Sequence, residues 1–117
     1  MKSELNQLAE SLLFGSCDEA DGCEIDSDSL TKIEANYQEF VDNIPLWIVY
    51  SLDEVYLGQG DVYEQLAHDY IMTSMGHGVG FWEKSDWEES AGEILTELCK
   101  SKGTLETYVH NETLYVY

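Results

Sequence analysis

Apolar residues recur at spacings of three and four through most of the chain and switch to alternation near residue 104. That pattern predicts helices followed by a β-hairpin. Leu5, Leu8, Leu12 and Leu13 form one stripe of a helix over residues 3–14, with Ser3 placed to cap it and Gly15 to end it. Leu30, Ile33, Tyr37, Val41 and Ile44 form the stripe of a second helix, capped by Ser27 or Ser29 and running to about Asn43. Such a stripe suits burial against the first helix. Pro45 then starts a new helix or breaks the old one. Residues 46–58, LWIVYSLDEVYLG, mix β-branched and aromatic residues with Ser51, Asp53 and Glu54, and are expected to be helical. Gly58 and Gly60 bracket a turn, and Asp61 caps a helix over 62–73 that stops at MGHGVG, where glycines supply positive φ.

A strand is expected over 79–83 and another helix from Trp87, capped by Asp86. Its inward residues would be Trp87, Ala91, Ile94, Leu95 and Leu98, with Lys100 and Lys102 near its end and Gly103 beyond it. The end, TLETYVH-NE-TLYVY, alternates on both sides of Asn111–Glu112 and reads as a hairpin. The expected fold is therefore α+β: N-terminal helices packed on a small antiparallel sheet, made by the 79–83 strand and the C-terminal β-hairpin. Residues 1–117 are read as a single acidic domain.

Charge changes this picture most. Twenty-four Asp and Glu face five Lys and no Arg, a formal net charge of −19. Small soluble domains usually carry a magnitude of about 2–8. Self-repulsion on this scale opposes compaction. It also excludes nucleic acid and anionic membrane as direct partners. Eight Tyr, three Trp and three Phe separate the chain from disordered acidic tails. Two places concentrate carboxylates: Asp18, Glu19, Asp21, Glu24, Asp26 and Asp28 in an expected loop, and Glu83, Asp86, Glu88, Glu89, Glu93 and Glu97 from the end of the 79–83 strand into the helix after it. Glu89, Glu93 and Glu97 stand four apart, on one helical face. Three cysteines (Cys17, Cys23, Cys99) make no disulfide framework and suit a reducing compartment. The polar residues Glu4, Asn6, Gln7 and Glu10 interrupt the first segment, which does not read as a signal peptide, so a cytoplasmic location is expected.

Residues 67–83, AHDYIMTSMGHGVGFWE, carry a resemblance. His68, Asp69, Thr73, Gly76, His77, Gly78, Gly80, Phe81 and Trp82 match the segment A-G-H-D-F-W-L-T-R-N-G-H-G-A-G-F-W-D of a family of small phage-encoded proteins, largely without assigned function. Tyr70 and Glu83 stand in for its Phe and Asp, while Ile71, Met72, Ser74 and Met75 replace W, L, R and N. If that Arg binds a ligand in relatives, Ser74 cannot do so here. The likeness extends more weakly to residues 37–43 and to the final helix and hairpin. It implies a phage or prophage origin and work inside a bacterium, and it implies no activity.

Each candidate chemistry has a plainer competitor. His68, Asp69 and His77 could ligate Zn²⁺ with one position open, but HD-x7-H is no known ligand spacing, and these residues suit a helix end and a turn. GHGVG could cradle phosphate, yet it follows a helix, opens a strand and has no Arg to assist. Aligned on Gly22, the acidic run fails as a calcium loop, because Cys17 occupies the first ligand position and Asp28 the last. Pairs such as Asp53–Glu54 or Glu88–Glu89 are expected by chance in so acidic a chain. No catalytic residue, cofactor or metal is assigned.

The expected function is that of a phage-type inhibitor. It would bind a basic, nucleic-acid-handling protein in the host bacterial cytoplasm, in the manner of an anti-CRISPR or anti-restriction protein, by mimicking DNA charge. At one charge per about 1.7 Å of duplex, 19 charges correspond to about 32 Å, close to the roughly 35 Å diameter of a domain this size. Two alternatives stand beside it. One is a non-catalytic structural or regulatory phage module acting through an apolar face, as a homodimer for instance, with LWIVY and Tyr108, Tyr115 and Tyr117 as candidate surface. The other is a small metal-dependent enzyme built on His68, Asp69 and His77.

Overall fold

Gly15 closes the first helix and Gly76 the fifth, so the chain is divided much as its glycines suggest. The structure is a computed structural model that describes residues 2–15, 24–58, 60–76, 81, 87–101 and 105–116, with backbone alone at 2–5, 14 and 15. In chain order the elements are α1 (Lys2–Gly15), β1 (Glu24–Ile25), α2 (Ser27–Asp42), α3 (Leu46–Val49), α4 (Leu52–Val55), α5 (Val62–Met75), α6 (Glu89–Lys100), β2 (Thr107–His110) and β3 (Thr113–Val116). The fold is α+β, and β2 and β3 form the expected hairpin. Asn111 and Glu112 both adopt positive φ, 51° and 63°, the backbone that a two-residue hairpin turn requires.

α5 is the centre of the helical layer. Val62, Leu66, Ala67, Tyr70, Ile71 and Met72 are buried, and α1 lies along it through Leu8 and Leu12. α6 packs on it too. The stripe read on α1 contains Leu8 and Leu12, but the pairing expected for it is with α2, whereas α1 lies chiefly against α5. On α2 the buried residues are Ser29, Ile33, Tyr37 and Phe40, with Leu30 and Val41 only half-buried. Phe40 sits in an aromatic cluster with Tyr37, Tyr70 and Phe81, at centroid distances of 6.1, 4.9 and 6.0 Å. An offset pair of rings contributes about 0.5–1.5 kcal/mol beyond its buried area.

Four expected boundaries move, each for a local reason. Ser3 lies inside α1 and does not cap it. α2 is capped by Asp26, whose carboxylate accepts the Ser29 amide at 2.9 Å and its hydroxyl at 3.0 Å. Residues 46–58 form two four-residue helices, interrupted at Tyr50 and Ser51, and Pro45 precedes the first. α6 begins after Glu88, not at Trp87. The Trp87 backbone instead bridges Tyr56, and the Glu88 amide donates to the Val55 carbonyl at 2.7 Å.

The sheet departs furthest from expectation. Its order is β1-β3-β2, and β1 runs parallel to β3 with Glu24 opposite Thr113 and Ile25 opposite Leu114. The third strand thus comes from the acidic segment read as loop. Of the strand expected over 79–83, Phe81 lies in a turn and the other four residues lie outside the described set. Ser29 ties sheet to helix: its Oγ donates to Asp26 and accepts the Val116 amide at 3.0 Å. Among the described residues no helix is long and apolar enough to cross a membrane.

Candidate protein-binding surface

The carboxylates expected to meet a partner divide into three groups. Asp18, Glu19, Asp21, Glu83 and Asp86 lie outside the described residues. Asp26 and Glu88 are half-buried and serve as helix caps. The amide N–H of Ser90, with help from Ala91, holds the Glu88 carboxyl below its usual range, against a smaller opposing effect of desolvation. Such a carboxylate is committed to its own backbone and offers little to a partner. Glu24, Asp28, Glu89, Glu93 and Glu97 are exposed.

Glu89, Glu93 and Glu97 form the one row among these that a single element presents. Eight helical residues span about 12 Å, so the three charges follow each other at about 6 Å. Beside them is an open groove of about 540 Å³ lined by Glu93, Ile94, Glu97, Leu98 and Ser101. Ile94 and Leu98, expected to point inward, are half-buried and line that groove. The α6 surface therefore combines carboxylates with aliphatic side chains, a combination suited to the charged head and methylene stem of lysine or arginine.

A second exposed surface is apolar. In α3 only Ile48 faces the core; Leu46 is 67% exposed, Trp47 48%, Val49 38% and, just beyond the helix, Tyr50 84%. In α4 Leu52 and Val55 are buried, and Leu57 after it is 65% exposed. On the hairpin, Tyr108 stacks on Tyr115 across the strands with ring centroids 5.1 Å apart; Tyr117 lies outside the described residues.

The motif residues do internal work. Asp69 is 4% exposed, and its carboxylate accepts the Trp87 indole N–H at 2.6 Å and the Gln65 amide at 2.9 Å. Thr73 Oγ1 accepts the Phe81 amide at 3.2 Å. Gly76 closes α5 at φ 76°, ψ 22°. His68 turns the other way, toward α1, where its Nδ1 lies 2.7 Å from Ser11 Oγ, which also accepts Gln7 Nε2 at 2.9 Å. His68 and Asp69 thus engage different neighbours and do not converge on one point. His77, Gly78, Gly80 and Trp82 lie outside the described residues, so the third ligand of the metal reading and the glycine cradle do too. Among the described residues no group of three or more His, Cys, Asp or Glu could hold a metal ion.

One nucleophile is deep in the core. Cys99 is 1% exposed, and burial pushes its thiol up to about 12; Ser74 lowers it by hydrogen bonding and Asp69 raises it. Burial also pushes the neighbouring Tyr70 hydroxyl up to about 12. A thiol held protonated and covered is unreactive.

Compared with family models, curated proteins and solved structures, the chain matches none.

Proposed function

We propose that this chain is a non-catalytic, phage-type inhibitor that binds a basic, nucleic-acid-handling protein in the bacterial cytoplasm, presenting carboxylates where phosphates would sit. The supporting observation is the α6 row, Glu89, Glu93 and Glu97, exposed beside a groove with aliphatic walls. The scale of the charge agrees. The molecule measures 43 × 25 × 24 Å, so 19 net charges along its length give one per about 2.3 Å, against about 1.7 Å in duplex DNA. The body is longer than the sphere expected from chain length, and its charge density is about three-quarters that of a duplex. Attraction of this kind speeds encounter and is screened by salt.

The experiment is retention of bacterial DNA-binding proteins on the immobilised chain, eluted in parallel with salt and with a short DNA duplex. The expected result is elution by either, and weaker retention on the Glu89→Gln/Glu93→Gln/Glu97→Gln variant. Retention unchanged between about 50 and about 500 mM salt removes the proposal, because contacts that replace phosphates are strongly salt-dependent.

A further inference from the structure

Six of the seven large hydrophobics exposed among the described residues fall within residues 46–63: Leu46, Trp47, Val49, Tyr50, Leu57 and Tyr63. Single exposed apolar side chains are ordinary, but a concentration of them marks an interaction surface. The fold does not need them there. Ile48, Leu52 and Val55 already anchor α3 and α4 in the core, leaving Trp47 and Tyr50 outward.

The sequence around this surface restricts what can cover it. No Lys or Arg occurs between Lys32 and Lys84, while Asp42, four residues before Leu46, and Asp53 and Glu54, within α4, are exposed. A symmetric contact with a second copy would set the same acidic patch against itself, in molecules that each carry −19. A cationic partner meets the opposite situation. Its aliphatic side chains would cover Leu46, Val49 and Leu57, its lysines or arginines would face Asp42, Asp53 and Glu54, and the rings of Trp47 and Tyr50 offer faces to the same cations.

We propose that α3 and α4 form a docking surface for a cationic amphipathic segment of another protein. This goes beyond inhibition at α6 and does not rest on it, since the residues and the dominant chemistry differ.

The test uses the full chain and three labelled synthetic peptides of one amphipathic design, carrying Leu with Lys, Leu with Gln, or Leu with Glu, read by fluorescence anisotropy. The Leu/Lys peptide is expected to bind at least tenfold tighter than the Leu/Gln one. Trp47→Ser/Tyr50→Ser, which leaves net charge unchanged, should weaken it at least tenfold, and Asp53→Asn/Glu54→Gln severalfold. Circular dichroism checks that these surface variants keep the fold. The α6 variant Glu89→Gln/Glu93→Gln/Glu97→Gln should bind this peptide within about twofold of the parent chain, which separates this proposal from the preceding one. Equal binding by Trp47→Ser/Tyr50→Ser overturns the proposal. So does equal binding of the Leu/Gln peptide. A dimer in sedimentation that Trp47→Ser/Tyr50→Ser dissociates assigns the surface to a second copy and overturns it as well.

Discussion

Replacing Gly92 by alanine sets two effects of opposite sign against each other at one residue. Gly92 lies in the first half of α6, where a glycine costs about 1 kcal/mol relative to alanine. On propensity alone the substitution would stabilise the protein. A Cβ at this position, however, would stand 2.5 Å from the backbone carbonyl oxygen of Phe81 and 3.7 Å from Trp87 Cβ. The first distance is well inside van der Waals contact, and backbone cannot swing aside as a side-chain tip can. Phe81 is also held by the hydrogen bond its backbone N–H donates to Thr73 Oγ1 and by ring contacts to Phe40 and Trp87 at 6.0 and 5.5 Å. Overpacking a well-ordered core costs about 1–3 kcal/mol, and the immobility of Phe81 places this case at the upper end. Subtracting the propensity gain leaves a net loss of about 1–2 kcal/mol, or roughly 4–8 °C in melting temperature. Urea unfolding followed by tryptophan fluorescence measures it. A midpoint equal to or above the parent's would refute the close approach of α6 to the Phe81 backbone.

Three further outcomes follow from the same contacts. Trp87→Phe removes the indole N–H from the Asp69 carboxylate and should cost about 1.5–3 kcal/mol; in a double-mutant cycle with Asp69→Leu the losses should be less than additive by at least about 1 kcal/mol, and strict additivity in urea midpoints would count against the bond. Cys99 and Tyr70 are neutral when protonated, and the fold holds both protons to about 12, above the ordinary values of 9.0 and 10.0; the unfolded chain releases them earlier, so stability present below about pH 9 should fall between about pH 9 and 12, by up to about 1.4 kcal/mol per pH unit for each proton, and Cys99→Ala should flatten that fall in unfolding midpoints. Glu112→Gly places glycine at φ 63° next to Asn111 and should raise the melting temperature by an amount corresponding to about 0.5–1 kcal/mol, which calorimetry reads.

The helices were legible where a residue's neighbours in sequence are also its neighbours in space. Asp61 and Gly76 delimit α5 by local hydrogen bonds, and the Asn111–Glu112 turn sets the hairpin register. The stripes told which face of α1 and α2 is apolar, but not which other face it meets. Nor could spacing choose between Phe40 and Val41, adjacent residues of which Phe40 alone is fully buried. β1 had no local signature, since two residues are too few for alternation and their partners lie at residues 113 and 114. Its only trace was Ile25, a lone aliphatic residue among acids. The α6 carboxylate row followed from four-residue spacing. By contrast, the commitment of Asp26 and Glu88 to caps depends on where each helix begins. The LWIVY run was legible as a candidate surface, but spacing alone did not say that Ile48 would turn inward while Leu46, Trp47 and Tyr50 stay exposed.

Placing β3 between β1 and β2 has a consequence for biosynthesis. The strand made last is the one both others need, and about 90 residues separate Ile25 from its partner Leu114. At 5–20 residues per second a ribosome takes about 5–18 s to cross that interval. Throughout it the nascent Glu24–Ile25 segment has no strand to join, and Ser29 lacks the Val116 amide that will complete its links. Closure of the sheet is therefore a late event, set by the pace of translation.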